Sequence, residues 1–276
     1  MQRIRLDSML RRWQTRSWIA WIMPITLLIL WQILGQLGWI STRILPTPIA
    51  VIEALITLVS NGMLFDYIGT STGRALIGFA IGGSIGFSLG LLNGMIPLAE
   101  KLTDTSIQMV RNIPHLALIP LVILWFGIDE AAKLFLVALG VAFPIYLNTF
   151  HGIRSVDPSL IEMGKVYGLR GWALFRNIIL PGALPSILVG VRFALGTMWI
   201  TLIVAETISA DSGIGYMAMN AREFMQMDVV VLSILLYALL GKLSDSIAKW
   251  CERLFLQWHP NYGKGQQTGK KGVTSS

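Results

Sequence analysis

Long uncharged apolar runs separated by short clusters of charge dominate the chain. A helix needs roughly 20 mostly apolar residues to cross ~30 Å of hydrocarbon, and six segments meet or approach that length. No charge lies between Arg16 and Arg43, which predicts a first span over Trp18 to Trp39. The uncharged stretches between Arg74 and Glu100 and between Lys133 and Arg154 predict the second and fourth. The third, between Arg111 and Asp129, has 17 uncharged residues and includes Pro114 and Pro120, so it is expected to be short and irregular. Ser186 to Ile208 and Asp228 to Lys249 predict the fifth and sixth. These two carry charge: Arg192 and Glu206 near opposite ends of one, Lys242 and Asp245 within the other. Between the spans, Ile40 to Gly73 holds Pro46, Pro48 and an amphipathic run from Glu53 to Leu64. That segment and Ala210 to Met227 are expected to form interfacial helices. The predicted fold class is all-α, a polytopic membrane protein of about six transmembrane helices.

Composition supports this pattern. Hydrophobic residues make up 54% of the 276, and charged residues 13% where ~25% is usual, too few to coat a soluble domain of this size. A soluble enzyme, a disordered chain and a collagen-like fibre are excluded. The single cysteine, Cys251, cannot form an internal disulfide. His115, His151 and His259 lack the spacing of a metalloenzyme helix, so no metal site is expected. A net charge of +7 could suggest nucleic acid, but the basic residues are distributed as in a membrane protein. With six spans and an inner N-terminus, 16 of the 22 Lys and Arg fall inside and four outside, namely Arg43, Arg74, Lys133 and Arg222. Both termini are thus expected in the cytoplasm, with no nucleic-acid partner. Residues 1–17 form a basic tail, and the apolar run after it is too long for a cleaved signal peptide. Residues 18–258 form the transmembrane domain, and 259–276, ending GKGQQTGKKGVTSS, are expected to be a disordered tail. That tail fails the phosphate-loop pattern, because Lys271 stands where Ser or Thr is required.

Three features inside the spans stand out. Gly78, Gly82, Gly86, Gly90 and Gly94 recur every four residues and form a flat ridge for close helix packing. Arg192 can snorkel to the inner surface, and Lys242 can pair with Asp245 at i, i+3. Glu206, in AETISADSGIGY, either makes structural hydrogen bonds or faces an aqueous cavity.

The inside loop HGIRSVDPSLIEMGKVYGLRGWALFRNIILPGALPS follows the fourth span. Asp157 is a good N-cap, Pro158 suits the first helical position and Gly168 is placed as the left-handed C-terminal residue. In the short helix so bracketed, Leu160, Met163 and Tyr167 share a face, while Glu162 and Lys165 lie on others. Gly171 to Leu180 predicts a second short helix ended by Pro181. Helices this short need a docking surface, either their own bundle or a second protein.

Glu162, Gly168, Ile178, Leu180 and Pro181 resemble the E-A-A, three residues, G, nine residues, I-x-L-P signature of type I ABC importer permeases, although Met163 and Gly164 replace the two alanines. From about Trp39 to Trp258 the chain is similar to permeases of the nitrate, sulfonate and taurine group, those for aliphatic sulfonates above all. The matching strings are STRILPTP, RALIGFAIGGS, DTSIQMVRNIPHLALIPLVILWFGIDE, LPGALPSILVGVRFALG and LIVAETISADSGIGYMAMNAREF. The resemblance implies the type I permease fold in a bacterial inner membrane, and a translocation subunit rather than an enzyme. It implies a homodimer, two ABC ATPase subunits that use ATP and Mg, and a periplasmic or lipid-anchored solute-binding protein. It makes residues 157–181 the ATPase-coupling loop, with Leu160, Glu162, Met163, Tyr167, Gly168, Ile178, Leu180 and Pro181 as its residues. Aliphatic sulfonates are the implied cargo, with nitrate, bicarbonate or taurine as alternatives. An ion-coupled secondary transporter would be expected to carry internal repeats with paired broken helices, and none is found. In the implied dimer, spans broken by Pro114, Pro120 and Pro144 can line the pathway. Asn112, His115, Asn148, Thr149 and Glu206 are its candidate polar lining.

Overall fold

The computed structural model describes residues 19–258, in which every regular element is helical. The expectations for the basic tail 1–17 and the tail 259–276 lie outside these residues. Two compact units emerge, one of residues up to Asp66 together with Met217–Leu235, the other of Tyr67–Tyr216 together with residues from Leu236 onward.

In the first unit, α1 (Ile19–Gln36) contains Pro24, and α2 (Pro48–Ser60) starts at Thr47, whose hydroxyl accepts the Ala50 N–H at 3.3 Å. The Gln32 side chain accepts the Ile49 N–H, tying α1 to α2.

α3 (Met63–Met95) runs unbroken across the unit boundary, and its Gly78–Gly94 ridge belongs to the second unit. It starts well before the predicted second span, because neither glycine nor proline breaks it and Arg74 is buried rather than solvated at its end. A charge ends a span only where it must reach water, and Arg74 has partners inside. α4 (Pro97–Arg111), a short 3₁₀ turn (His115–Leu118) and α5 (Ile119–Phe126) follow. α4 and the segment Leu116–Phe126 are bent by 76° about Pro114, the irregularity expected of the third span.

α6 (Glu130–Arg154) is the central helix of this unit. The glycine ridge of α3 lies along one side: a Cβ at Gly82 or Gly86 would stand 2.1 or 2.2 Å from the carbonyl oxygen of Ala138 or Ala142. Glycine is needed there because the contact is backbone on backbone. Along another side runs α9 (Leu180–Ser209), with Gly140 against Thr201, Gly152 against Ser186 and Gly190 against Asn148.

Between them lies α7 (Pro158–Val166), then α8 (Gly171–Leu174). Here the structure corrects the sequence reading. Pro181 does not end a second short helix; one π turn, Phe175–Ile179, joins α8 to α9. The wider turn admits Pro181, which has no N–H and would clash in a regular α-helix. The apolar helix therefore runs from Gly171 to Ile208. α10 (Ile214–Glu223) and α11 (Met227–Phe255) complete the chain.

Among the described residues four helices are long and apolar enough to cross a membrane, five if the bent pair is one span, and α1 lies in the first predicted span.

Candidate functional site

The loop after α6 is built on two faces. The Asp157 carboxylate accepts the Ser159 N–H at 2.9 Å and the Ser159 hydroxyl, capping α7. Those bonds, the hydroxyl's first, hold the Asp157 carboxyl below its usual range, so the cap is present at neutral pH and is lost only as pH falls through that lowered value. At the other end Gly168 has φ 83°, donating to Lys165 O at 3.0 Å while Leu169 donates to Gly164 O at 2.9 Å. This double closure is favoured by glycine, which adopts positive φ without a Cβ penalty.

The sequence left open which face of α7 turns inward, and Ile161 and Gly164 mark it. Ile161 packs on Ile153, Val156, Ala183 and Ile187, together with Ile178 and Leu180. Gly164 is buried, and a Cβ there would come within 2.2 Å of Ile178 Cδ1. The glycine in the alanine position of the signature thus has a packing cause. Leu160, Met163 and Tyr167 face outward instead, joined by Val166 at 86% exposure and Trp172 at 70%. Glu162 is exposed beside them and has no hydrogen bond or ion pair among the described residues. Ile178, Leu180 and Pro181 are half-buried and hold this platform from below. An apolar patch beside one unpaired carboxylate can dock a protein; it holds no chemistry of its own.

A second constellation was missed by the sequence reading. Arg74, 4% exposed, donates to Glu206 at 2.9 Å, to Glu130 and to the Ser212 backbone oxygen at 2.6 Å. Glu206, 1% exposed, also accepts from Ser71, from Tyr237 at 2.8 Å and from the Gly215 N–H at 2.9 Å. Lys133, likewise buried, reaches Glu130 at 3.0 Å. Gly213, with φ 101°, lets the 210–215 turn approach, since a Cβ there would meet Glu206 Oε1 at 2.6 Å. Glu206 is therefore held by structural hydrogen bonds in a buried charge cluster. Arg74 and Lys133, counted as outside charges, are internal partners. The signal was available as charges of opposite sign in apolar runs, but nothing in the sequence pairs residues 132 positions apart.

The other candidate lining residues lie at the end of α4, in the 3₁₀ turn and on α6. Thr149 is fully buried against Gly90, with its hydroxyl unpartnered among the described residues. Asn112 is exposed at the end of α4. His115 opens the 3₁₀ turn. Asn148 does line a cleft, of about 540 Å³, with Arg111, Phe143, Leu147, Phe193 and Thr197. Arg192 does not simply snorkel: it reaches Asp245 at 2.7 Å, which also binds Lys249 at 2.7 Å and stands 3.8 Å from Lys242.

An all-helical membrane protein with a short exposed apolar patch on the loop of α7 is the class these features define. The chain belongs to the family of binding-protein-dependent transport system inner membrane components, which matches residues 82–257. It is thus an ABC-type permease subunit, a transport component and not an enzyme. A protein of Escherichia coli (strain K12) named as an aliphatic sulfonates transport permease, SsuC, is 62% identical over 252 residues, 91% of this chain and 95% of that one. A namesake from Bacillus subtilis (strain 168) is 43% identical over 241 residues, 87% of each chain. Among solved structures, a chain from an amino acid ABC transporter superposes with TM-score 0.58 at 16% identity, covering 72% of this chain and 97% of that one, a likeness of fold alone.

Proposed function

We propose that this chain is the translocation subunit of an ATP-driven importer of aliphatic sulfonates in a bacterial inner membrane, with both termini cytoplasmic. The observation that carries the cargo assignment is the 62% identity to the Escherichia coli protein of that name, extending over nearly all of both chains. Two copies form the pathway, and a separate periplasmic or lipid-anchored binding protein delivers the solute. Two ATPase subunits, using ATP and Mg, dock on the platform of α7. The exposed Leu160, Met163, Tyr167 and Trp172 and the unpaired Glu162 support that docking, because a face of this kind is costly to leave in water. Gly168 and the half-buried Ile178, Leu180 and Pro181 hold α7 against α9, so that movement of the ATPases reaches the spans.

Deleting the chain in a host without a second sulfonate importer should abolish growth on ethanesulfonate as sole sulfur source and spare growth on sulfate. Undiminished uptake of labelled ethanesulfonate in that strain would reject the cargo.

A further inference from the structure

The cleft beside Asn148 has the makings of a ligand site. Its volume of about 540 Å³ lies within the ~300–1,000 Å³ typical of small-molecule pockets. Phe143, Leu147 and Phe193 give it an apolar wall. Three polar side chains interrupt that wall: Arg111, Asn148 and Thr197, whose hydroxyl already donates to Phe193 O at 3.2 Å. Arg111, the last residue of α4, is exposed, has no ion pair or hydrogen bond among the described residues, and is the charged residue of this lining. Asn148 donates one amide hydrogen to Pro144 O at 2.9 Å, leaving a second N–H. Its position is enforced, because Gly190 of α9 leaves just enough room for it: a Cβ there would stand 2.5 Å from Asn148 Cβ. Pro144, also in the wall, supplies no N–H to the Gly140 carbonyl one turn earlier, a polar break suited to a hydrated groove rather than a lipid face.

One unpaired guanidinium with an amide beside an apolar wall fits an anion that carries an aliphatic tail. A cation or a neutral polar solute would leave Arg111 unmatched and the wall wet. We infer that this cleft is a solute site of the permease itself, in which Arg111 binds the anionic head group and Phe143, Leu147 and Phe193 cover the tail. The inference rests on the sulfonate reading and adds to it that the permease, and not only its binding protein, recognises both ends of the solute. Asn148 stands six residues before the end of α6, about 9 Å at 1.5 Å per residue, so the site adjoins the coupling platform.

An anionic lipid shares this chemistry, and the test separates the two. The intact transporter, in nanodiscs of phosphatidylcholine without binding protein, is titrated with labelled hexanesulfonate and ethanesulfonate. Saturable binding is expected, weakened about tenfold or more by Arg111→Gln and partly restored by Arg111→Lys. Phe193→Ala should weaken hexanesulfonate more than ethanesulfonate. Retention of the ATPase by each variant verifies assembly. Absence of saturable binding, equal binding by wild type and Arg111→Gln, or displacement by an added anionic lipid but not by ethanesulfonate would each overturn the inference. Uptake by the same preparations with binding protein present separates the two readings. If the wild type imports sulfonates without such binding, only the cleft assignment fails, whereas a wild type that imports none rejects the cargo and the site with it.

Discussion

At the scale of single residues, the structure separates positions whose loss should damage the fold from positions whose loss should damage coupling. Glu206 is of the first kind. Replacing it by Leu leaves Arg74 buried with one carboxylate fewer, and breaking a buried pair from one side costs about 3–5 kcal/mol. Glu206→Leu should therefore lower the unfolding temperature of the solubilised protein strongly, while Glu206→Gln, which can still accept from Ser71 and Tyr237, should lower it less. Equal unfolding temperatures for wild type and Glu206→Leu would mean that the cluster contributes nothing. Gly168 is of the second kind. No neighbour lies within 4 Å of a Cβ placed there, so the cost of an L-residue is the left-handed conformation itself, roughly 1–2 kcal/mol, carried by an exposed turn. Gly168→Asp should leave the chain inserted in the membrane but release the proposed ATPase partner or separate ATP hydrolysis from uptake in proteoliposomes. Normal ATPase retention together with normal uptake would remove this turn from the mechanism.

Between residues and the molecule stand the helices, and they show what could be read from the sequence. The glycine spacing, the Asp157 cap and the proline-broken third span were legible because each is a local pattern with a local cause. The joint between α8 and α9 was not. Proline normally ends a helix, but here a π turn, which depends on packing beneath it, precedes Pro181 and the helix runs on. The faces of α7 were likewise left open, because apolar content cannot distinguish a surface turned to its own bundle from one left for a partner. Gly164, with no side chain, marked the true inner face. Asn177 is exposed within the π turn, which makes it a mechanical test of the joint. Its deletion would restore regular winding and rotate α8 by about 100° relative to α9. The shortened chain should insert normally, as read by protease protection, yet fail to retain the ATPase. Wild-type retention would show that the angle between loop and span does not matter.

For the whole molecule, the disposition of charge is the argument for the proposed orientation. With Arg74 and Lys133 internal, two of the four outside basic residues no longer weigh against the 16 inside, and the asymmetry is steeper than the sequence suggested. Reporter fusions near Gly168 and near Lys264 should read as cytoplasmic, and those near Ser60 and Ser212 as external; a cytoplasmic signal from either of the latter two would overturn this topology. The glycine ridge then has a mechanical meaning. From Gly78 to Gly94 it runs 16 residues, about 24 Å at 1.5 Å rise, most of the depth of the hydrocarbon layer. Along that length α3 rests on α6 mainly through main-chain atoms and short side chains, with few long rotamers to absorb a push. The two helices form a stiff beam, and on the proposed coupling role force applied beside Arg154 should arrive near the Arg74 cluster as displacement, with little of it lost as repacking on the way.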